Sequence, residues 1–356
     1  MEKNKITIGI TQGDINGIGW EVILKTLDDA EILEMFTPII YGSLKAATYY
    51  KNLFDLQAVN FNQISNATEA AHRKINIINC NKNDILIEPG QSSEQAGKAA
   101  FEALERATSD LKANLITALV TAPINKKNIQ SADFNFAGHT EYLQKKADSQ
   151  STALMLLIND MMRVAVVTAH VPVENVSKLL TKDLIVKKIE VFNQSLKRDF
   201  MIVSPRIAVL SLNPHAGDQG VIGHEEQNVI IPAINQAIEQ GIVCAGPYSA
   251  DGFFGAGKFS SFDGVLAMYH DQGLIPFKTL SMDSGVNFTA ALPFVRTSPD
   301  HGTAYDIAGK NEASPQSFRH ACFAAIDIIR NRKTYSEITQ NPLKIEVRAE
   351  QNGRIA

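Results

Sequence analysis

Residues 262–280 read FDGVLAMYHDQGLIPFKTL, and their apolar centre, residues 265–268, is typical of a buried β-strand. The strand ends in Tyr269, His270 and Asp271. A polar turn whose histidine bonds to a neighbour would explain this ending. A strand that carries a metal ligand or an acid/base group into a cleft would explain it too. The residues at the ends of the other strands distinguish the two interpretations.

Apolar segments alternate with segments of helical periodicity along the chain. Strands are predicted at residues 5–10, 36–41, 75–78, 113–121, 162–168, 206–212 and 264–268. Helices are predicted at residues 20–27, 93–113, 175–180, 184–198 and 225–240. This alternation predicts an α/β fold with a mostly parallel sheet that helices cover on both faces. Residues 331–356 are charged, which predicts a surface helix followed by a loose tail.

The turns after the predicted strands are where a site is expected, because ligands of open parallel sheets bind at the carboxyl ends of the strands. Besides His270-Asp271, these turns read TQGDINGIG (11–19), TAPINK (121–126), TAHVP (168–172) and NPHAGD (213–218). Histidines occur in three of them, at His170, His215 and His270. This recurrence favours a functional site over a single polar turn.

The chemistry that these three histidines allow is metal binding. Three neutral imidazoles with an open coordination position suit a divalent ion such as zinc, and a substrate oxygen would complete the sphere. Three unrelated polar turns remain the alternative, because the spacing is not that of a zinc finger. Nearby carboxylates could serve as a fourth ligand or orient the imidazoles; they are Asp218, Asp251 and Asp271.

Composition narrows the class of protein. The chain has 356 residues, enough for two domains or lobes, with 45% hydrophobic and 20% charged residues. A net charge of −4 gives no basic field for nucleic acid or an anionic membrane, so we expect a small-molecule partner. The three cysteines, Cys80, Cys244 and Cys322, form no recognisable disulfide or metal motif. Without a secretory signal or an apolar run of about 18 residues, we expect a cytoplasmic protein.

Two further patterns are compatible with phosphate binding. The loop 13–19 lies between a strand and a helix, but it lacks the G-x-G-x-x-G and Walker patterns and would serve equally as a tight turn. Lys278, Asn287 and Arg296 recur at intervals of nine residues in a weakly charged segment. There Lys and Arg could hold a phosphate, with Arg acting as a bidentate fork.

Two polar clusters have simple structural explanations. In GHTE (138–141), a capping turn explains Thr140 and Glu141 as well as a substrate contact does. Glu225 and Glu226 could open the helix that follows them, where carboxylates favour the positive end of the helix dipole.

In this order, the motifs resemble those of the 4-hydroxythreonine-4-phosphate dehydrogenase family of pyridoxal phosphate biosynthesis. The matching stretches are TQGDINGIGWE, TAPINK, FAGHTEYL, TAHVPV, LNPHAGDQGVIGHEE, GPYSADGFF, AMYHDQGLIPFK and VNFTAALPFVRTSPDHGTAYDIAG. They are colinear from about residue 11 to residue 309. The first loop departs from the family's usual GDPAGIG, with Ile15-Asn16 in place of Pro-Ala.

The resemblance implies roles for individual residues. His170, His215 and His270 would bind a divalent metal, with Asp251 as a possible carboxylate close to it. The phosphorylated substrate would contact five residues: His139, Thr140, Lys278, Asn287 and Arg296. The family is a homodimer whose site draws on both subunits, so we expect this chain to dimerise. The catalytic base is not identified.

A more distant likeness concerns the nicotinamide cofactor. The segment 300–309, DHGTAYDIAG, is similar to the nucleotide-binding loop of isopropylmalate and isocitrate dehydrogenases, which lack the Rossmann glycine fingerprint. Cofactor contacts would then come from His301, Gly302, Thr303, Ala304 and Asp306. An aspartate at Asp306 suits a ribose 2′-hydroxyl and repels a 2′-phosphate, which predicts NAD over NADP.

The same likeness implies an isocitrate/isopropylmalate dehydrogenase-like α/β fold, with two α/β/α lobes and the active site in the cleft between them. Residues 1–140 with 300–356 would form the first lobe. Residues 141–299 would form the second, which would carry the metal ligands.

The resulting hypothesis is oxidation of 4-phosphohydroxy-L-threonine that depends on NAD (or NADP) and on Zn, Mg or Co. A related dehydrogenase of 4-phospho-D-threonate or 4-phospho-D-erythronate is the alternative within this enzyme class, because such relatives share the metal and phosphate residues. A non-catalytic α/β protein that binds a metal or a phosphorylated ligand is the alternative of another class.

Overall fold

The computed structural model describes residues 6–81, 85–147, 152–281 and 283–341. Twelve strands within these residues form one sheet. In chain order they are β1 (Thr7–Thr11), β2 (Thr37–Gly42), β3 (Phe61–Ile64), β4 (Ile75–Asn79), β5 (Ala118–Thr121), β6 (Leu154–Ile158), β7 (Arg163–Thr168), β8 (Ile207–Leu210), β9 (Cys244–Tyr248), β10 (Gly264–Tyr269), β11 (Val286–Ala290) and β12 (Val295–Pro299).

Across the sheet the strands lie in the order β3-β4-β2-β1-β5-β12-β11-β6-β7-β10-β8-β9. Neighbouring strands are parallel except in the middle, where β12–β11, β11–β6 and β6–β7 are antiparallel. The prediction of a mostly parallel α/β sheet is therefore confirmed. Because β7, β10 and β8 are parallel neighbours, their carboxyl ends lie at one edge of the sheet.

The helices cover this sheet. They are α1 (Gly19–Leu27), α2 (Ile32–Met35), α3 (Leu44–Leu53), α4 (Glu94–Lys112), α5 (His139–Lys146), α6 (Val176–Leu179), α7 (Lys182–Arg198), α8 (Ile231–Glu239), α9 (Ala250–Gly255), α10 (His270–Ser281) and α11 (Gln316–Thr339). Ser43, Ser93 and Thr181 begin α3, α4 and α7 by accepting a backbone amide hydrogen bond with their hydroxyl oxygen. No helix in the described ranges has the length and apolar character that a membrane span requires.

The core lies between the sheet and these helices. Every residue of β2 and β6 is buried, as expected of strands covered on both faces. On α11, Phe318, Cys322 and Ile326 recur every four residues and form one buried stripe. This helix contacts β12, β11 and β5 in the middle of the sheet.

Each predicted strand corresponds to an observed one. Strand β5 begins at Ala118 and not at the predicted residue 113, because α4 extends to Lys112 and a turn follows it. Five strands were not predicted, namely β3, β6, β9, β11 and β12. The strand of residues 264–269 is not followed by a turn, since α10 begins at His270 itself. The predicted surface helix is the end of α11, and residues 342–356 of the predicted tail lie outside the described residues.

The lobe limits, 1–140 with 300–356 and 141–299, stay a prediction. Strands from both ranges belong to the same sheet.

Candidate active site

Two of the predicted metal ligands meet at the carboxyl edge of the sheet. Thr168 of β7 is in register with Tyr269 of β10, and His170 and His270 follow these residues. Their imidazole rings are 6.1 Å apart between centroids. Both rings line a cavity of about 270 Å³. The parallel pairing of β7 with β10 therefore brings together two histidines that are 100 positions apart in the sequence.

Each of these imidazoles is held by a carboxylate. Nδ1–H of His170 donates to Oε1 of Glu141 at 3.1 Å, and Nδ1–H of His270 donates to Oδ1 of Asp271 at 2.6 Å. A carboxylate at Nδ1 leaves the lone pair on Nε2, which is the tautomer that binds a metal. The donor set of this edge therefore fits a divalent cation with imidazole ligands.

His215 lies elsewhere in the same chain. It belongs to a run of five residues, 215–219, whose φ angles are all positive, from 42° to 77°. Hydrogen bonds from Ser249 and Gly252 lower the pKa of the nearby Asp251, and the charge of His215 contributes. Within the described ranges of one chain, no three His, Cys, Asp or Glu side chains are grouped as metal ligands. The structure thus brings His170 and His270 together, and places His215 with Asp251.

Glu226 fixes the loop that carries His215. Its Oε1 accepts the backbone amides of Leu212 and Asn213, both at 2.8 Å, and its Oε2 accepts the side-chain amide of Asn213 at 2.9 Å. The residue is 2% exposed. The explanation of Glu226 as a helix opener is therefore incomplete, because its carboxylate reaches back to the loop. These bonds offset the strain of the left-handed run.

A buried cation lies close enough to Glu141 for their charges to interact. Arg296 of β12 is 3% exposed, and its guanidinium donates to the hydroxyls of Thr121 and Thr289 at distances of 2.6 to 3.2 Å. It has no ion pair to a carboxylate within the described residues. Burial lowers the pKa of Arg296 to about 10, with the charge of Glu141 acting in the opposite direction. The side chain is therefore still charged at neutral pH, and a buried unpaired guanidinium is a strong site for an anion.

Two of the predicted substrate-binding residues have a buried polar atom without a partner. Nε2 of His139 and Oδ1 of Asn287 are buried and have no hydrogen-bond partner among the described residues. Burial and the charges of Arg296 and Lys126 lower the pKa of His139 well below its usual value. His139 is therefore neutral at pH 7 and is able to donate one hydrogen bond to a ligand. Thr140 follows it and lines a second cavity, of about 200 Å³, beside His170.

Lys278, in the last turn of α10, pairs with Asp300. Its Nζ is 3.3 Å from Oδ1 of Asp300 and donates to the Asp300 backbone oxygen at 3.0 Å. Burial raises the pKa of Asp300, although the charges of Lys278 and His270 act against this. Asp300 thus lies between the predicted phosphate-binding lysine and a predicted metal ligand.

The loop 13–19 has the role of a tight turn. The backbone amides of Asp14, Gly17 and Ile18 donate to oxygens of Pro123, Asp14 and Thr303. The amide of Asn16 donates to the Asp14 carboxylate. These amides are therefore not free to bind a phosphate. A Cβ on Gly17 would lie 2.8 Å from the Thr303 backbone oxygen, so glycine there permits the close approach of the two loops.

The predicted cofactor residues lie on the segment that packs against this turn. Burial lowers the pKa of His301, whose Nε2 is buried and without a partner among the described residues. Gly302 has no atom within 4 Å of the position of a Cβ, and Asp306 is exposed. A glycine with free space around it and an accessible carboxylate are suited to contact a nucleotide at this surface.

Comparison with known proteins identifies the family. The family model described as pyridoxal phosphate biosynthetic protein PdxA matches residues 34–325. The chain belongs to the PdxA family.

Relatives in the PdxA family differ in the substrate that their names state. A 4-hydroxythreonine-4-phosphate dehydrogenase of Bacteroides thetaiotaomicron is 54% identical, over 97% of this chain and 94% of the relative. A candidate D-threonate 4-phosphate dehydrogenase of Oceanobacillus iheyensis is 38% identical, over 92% and 99%. The crystal structure of the 4-hydroxythreonine-4-phosphate dehydrogenase of Klebsiella pneumoniae matches with a TM-score of 0.79 at 33% identity, over 92% and 99%.

Two acidic residues of this site were not assigned from the sequence. Asp300 opens the segment 300–309, but no role was predicted for it. Glu141 was explained as part of a cap, and its partner His170 lies 29 residues away. The signal for both was the same, an acidic residue beside a predicted ligand, and only the fold identifies which group each one contacts.

Proposed function

We propose that this chain oxidises 4-phosphohydroxy-L-threonine with NAD and a divalent metal, in pyridoxal 5′-phosphate biosynthesis. The product is 2-amino-3-oxo-4-phosphobutanoate, which decarboxylates to 3-amino-2-oxopropyl phosphate. The observation that carries the proposal is Arg296, a buried guanidinium whose partners among the described residues are all hydroxyls. Its charge interacts with that of Glu141, which is the hydrogen-bond partner of His170. An anion site next to a metal site suits a substrate with a phosphate at one end and a hydroxyl near its middle.

In this proposal the phosphate binds to Arg296 and Lys278, and neutral His139, Thr140 and Asn287 complete its hydrogen bonds. Arg296 offers a planar fork of N–H groups that a lysine cannot replace. Binding energy at this end, remote from the reacting carbon, fixes the orientation of the C3 hydroxyl.

His170, His215 and His270 would hold the metal, which is Zn, Mg or Co, with Asp251 close to it. When bound, the metal supplies positive charge that favours loss of the hydroxyl proton. Glu141 and Asp271 keep the two imidazoles in the binding tautomer.

Hydride transfer completes the oxidation. The C3–H bond breaks with its electron pair, which passes to C4 of the nicotinamide, and the hydroxyl loses its proton to a base that we do not assign. The product carries a carbonyl β to its carboxylate. Loss of CO₂ leaves an enol, which a proton at C2 converts into the amino ketone.

The complete site requires a homodimer in this proposal. One chain brings His170 and His270 together but not His215 with them. The third imidazole, with Asp251, would come from the partner protomer. Such an arrangement places each site between two copies of the chain.

NAD is the proposed cofactor, with contacts from His301, Gly302, Thr303, Ala304 and Asp306. The exposed Asp306 would accept a hydrogen bond from the ribose hydroxyls and repel a 2′-phosphate. A comparison of kcat/KM for NAD and NADP tests this, and a clear preference for NADP would contradict it.

A second candidate substrate is 4-phospho-D-threonate, because the Oceanobacillus iheyensis relative carries that name. The discriminating experiment follows absorbance at 340 nm with metal-loaded protein, NAD and 4-phosphohydroxy-L-threonine, beside 4-phospho-D-threonate and 4-phospho-D-erythronate. Metal-dependent turnover of the amino acid, lost in folded His215→Ala, supports the proposal. Turnover of only a sugar acid would move the chain to the second function. No turnover of any of them would leave a non-catalytic metal- or phosphate-binding protein.

A further inference from the structure

We propose that Glu141 is a positioning residue that holds the imidazole of His170 ready for the metal. This inference rests on the proposed function, since it requires that His170 binds a cation. Neither a helix-capping role nor a contact with substrate requires the arrangement observed around this carboxylate.

The first support is that Glu141 is the only hydrogen-bond partner of the His170 ring among the described residues. The bond joins Oε1 of Glu141 to Nδ1 of His170 at 3.1 Å. His170 stands two residues beyond β7, outside the backbone ladder. Its ring orientation therefore depends on what the side chain contacts.

The second support is that packing alone does not fix the ring. His170 lines the cavity of about 270 Å³ that it shares with His270, and also the cavity of about 200 Å³ on the side of Glu141. With space on both sides, the imidazole is free to rotate about its χ angles if the hydrogen bond is removed. A rotated ring would change the orientation of Nε2 relative to His270, whose ring centroid is 6.1 Å away.

The third support is that the backbone which carries Glu141 is fixed. Glu141 lies in the first turn of α5, and Tyr142 and Leu143, which follow it, are fully buried, so α5 is anchored in the core. Its second oxygen, Oε2, is buried and has no partner among the described residues, so the bond to His170 is the one that orients the carboxylate. A carboxylate on an anchored element orients a ligand better than one on a mobile loop. His270 obtains the same support from Asp271, its neighbour in sequence.

The test is metal binding by the full-length protein after removal of metal with a chelator, titrated with ZnCl₂ by calorimetry. Loss of an outer carboxylate lowers metal affinity about 10- to 100-fold, so we expect this loss in Glu141→Ala. Glu141→Gln keeps an acceptor oxygen for Nδ1–H, and we expect a smaller loss, about 3- to 10-fold. The absorption bands of bound Co²⁺ should also change in Glu141→Ala, because the ligand geometry changes.

The matched control is Glu174→Ala, which removes an exposed carboxylate four residues after His170. It should bind zinc as the wild type does. His170→Ala tests the proposed metal site itself. Circular dichroism and the melting temperature establish that each variant is folded.

The outcomes separate the two proposals. If His170→Ala loses affinity while Glu141→Ala binds as Glu174→Ala does, the positioning role is wrong and the metal site stands. If His170→Ala binds zinc as the wild type does, the metal site of the proposed function is wrong. If Glu141→Ala does not fold, Glu141→Gln replaces it, and zinc affinity equal to that of Glu174→Gln would overturn the positioning role.

Discussion

The hydroxyl of Tyr305 donates a hydrogen bond of 2.8 Å to Oδ2 of Asp14, although 291 positions separate the two residues. The same hydroxyl accepts a bond from Asn125 at 2.9 Å, and Asn128 donates to Asp14 at 2.7 Å. The turn after β1, the turn after β5 and the segment 300–309 are therefore joined at one point. This junction supports the loop on which the cofactor contacts are proposed.

Replacing Tyr305 by Phe removes the hydrogen bonds of its hydroxyl with Asp14, with Asn125 and, at 3.5 Å, with Asn128. The free energy of unfolding should fall by about 1–3 kcal/mol, because a carboxylate and an amide lose a partner. The KM for NAD should rise more than the KM for the phosphorylated substrate, because the loop loses its attachment. Urea unfolding and steady-state kinetics measure these effects, with Tyr49→Phe as a control on an exposed side chain. Equal changes in both KM values would argue against a role in cofactor positioning.

Replacing Arg296 by Lys keeps the charge but removes the fork. We expect kcat/KM for the phosphorylated substrate to fall about 10- to 100-fold, since a lysine cannot bind two phosphate oxygens in one plane. The inhibition constant for inorganic phosphate should rise in parallel. Arg206→Lys, a change at an exposed arginine, should alter neither value. If phosphate inhibits both variants equally, Arg296 does not bind the phosphate.

His139 should make stability depend on pH in a defined direction. Its pKa in the folded protein lies well below its usual value, because of burial and the charges of Arg296 and Lys126. In the unfolded chain the imidazole has a pKa of about 6.5, so as the pH falls the unfolded chain takes up the proton before the folded protein does. The stabilisation of the folded protein that neutral His139 provides is fully present above that pH. It is lost as the pH falls below it, by up to about 1.4 kcal/mol per pH unit.

The measurement for His139 is urea unfolding of wild type and His139→Gln at pH 7.5, 6.5 and 5.5. The difference in unfolding free energy between the two proteins should shrink as the pH falls, because the variant has no imidazole to protonate. His224→Gln, at an exposed histidine, should run parallel to the wild type. A constant difference for His139→Gln across these pH values would contradict the prediction.

The proposed sharing of the site between protomers predicts which inactive variants restore one another's activity. In a mixed dimer of His215→Ala and His270→Ala, one site has all three histidines. The other site carries both substitutions and retains only His170. Random subunit exchange should therefore return about a quarter of the wild-type activity. Mixing His170→Ala with His270→Ala should return nothing, because both residues belong to the same half of the site. Recovery in the second mixture, or none in the first, would refute this division.

The predicted strands are apolar runs rich in β-branched residues, as in β7 (RVAVVT) and β8 (IAVL). The middle strands β11 (VNFTA) and β12 (VRTSP) were not predicted, since polar residues interrupt their apolar pattern. Helix α10 was not predicted, because Gly273 and Pro276 are both unfavourable inside a helix. Pro276 nevertheless lies within its 12 residues. Local propensity fails where polar residues, glycine or proline interrupt an element that tertiary packing stabilises.

Histidines after strands indicated a site because a parallel sheet brings the carboxyl ends of its strands to one edge. This inference does not require the positions of the side chains. The partners of those histidines were not predictable in the same way. Asp271 is adjacent to His270, but Glu141 contacts His170 from a different element, α5, and across 29 positions of the sequence. A contact between separate elements depends on how they pack, and sequence spacing does not contain that information.

The place of β12 in the sheet has a consequence for synthesis of the protein. β5 pairs with β1 on one side and with β12 on the other, yet β12 follows it in the chain only after six other strands. A nascent chain that has folded β1 to β5 therefore exposes an unpaired edge until the ribosome reaches residue 299. Such an edge invites pairing with other chains, so this is the interval in which chaperones would protect the protein best. The centre of the molecule is the last part to be built.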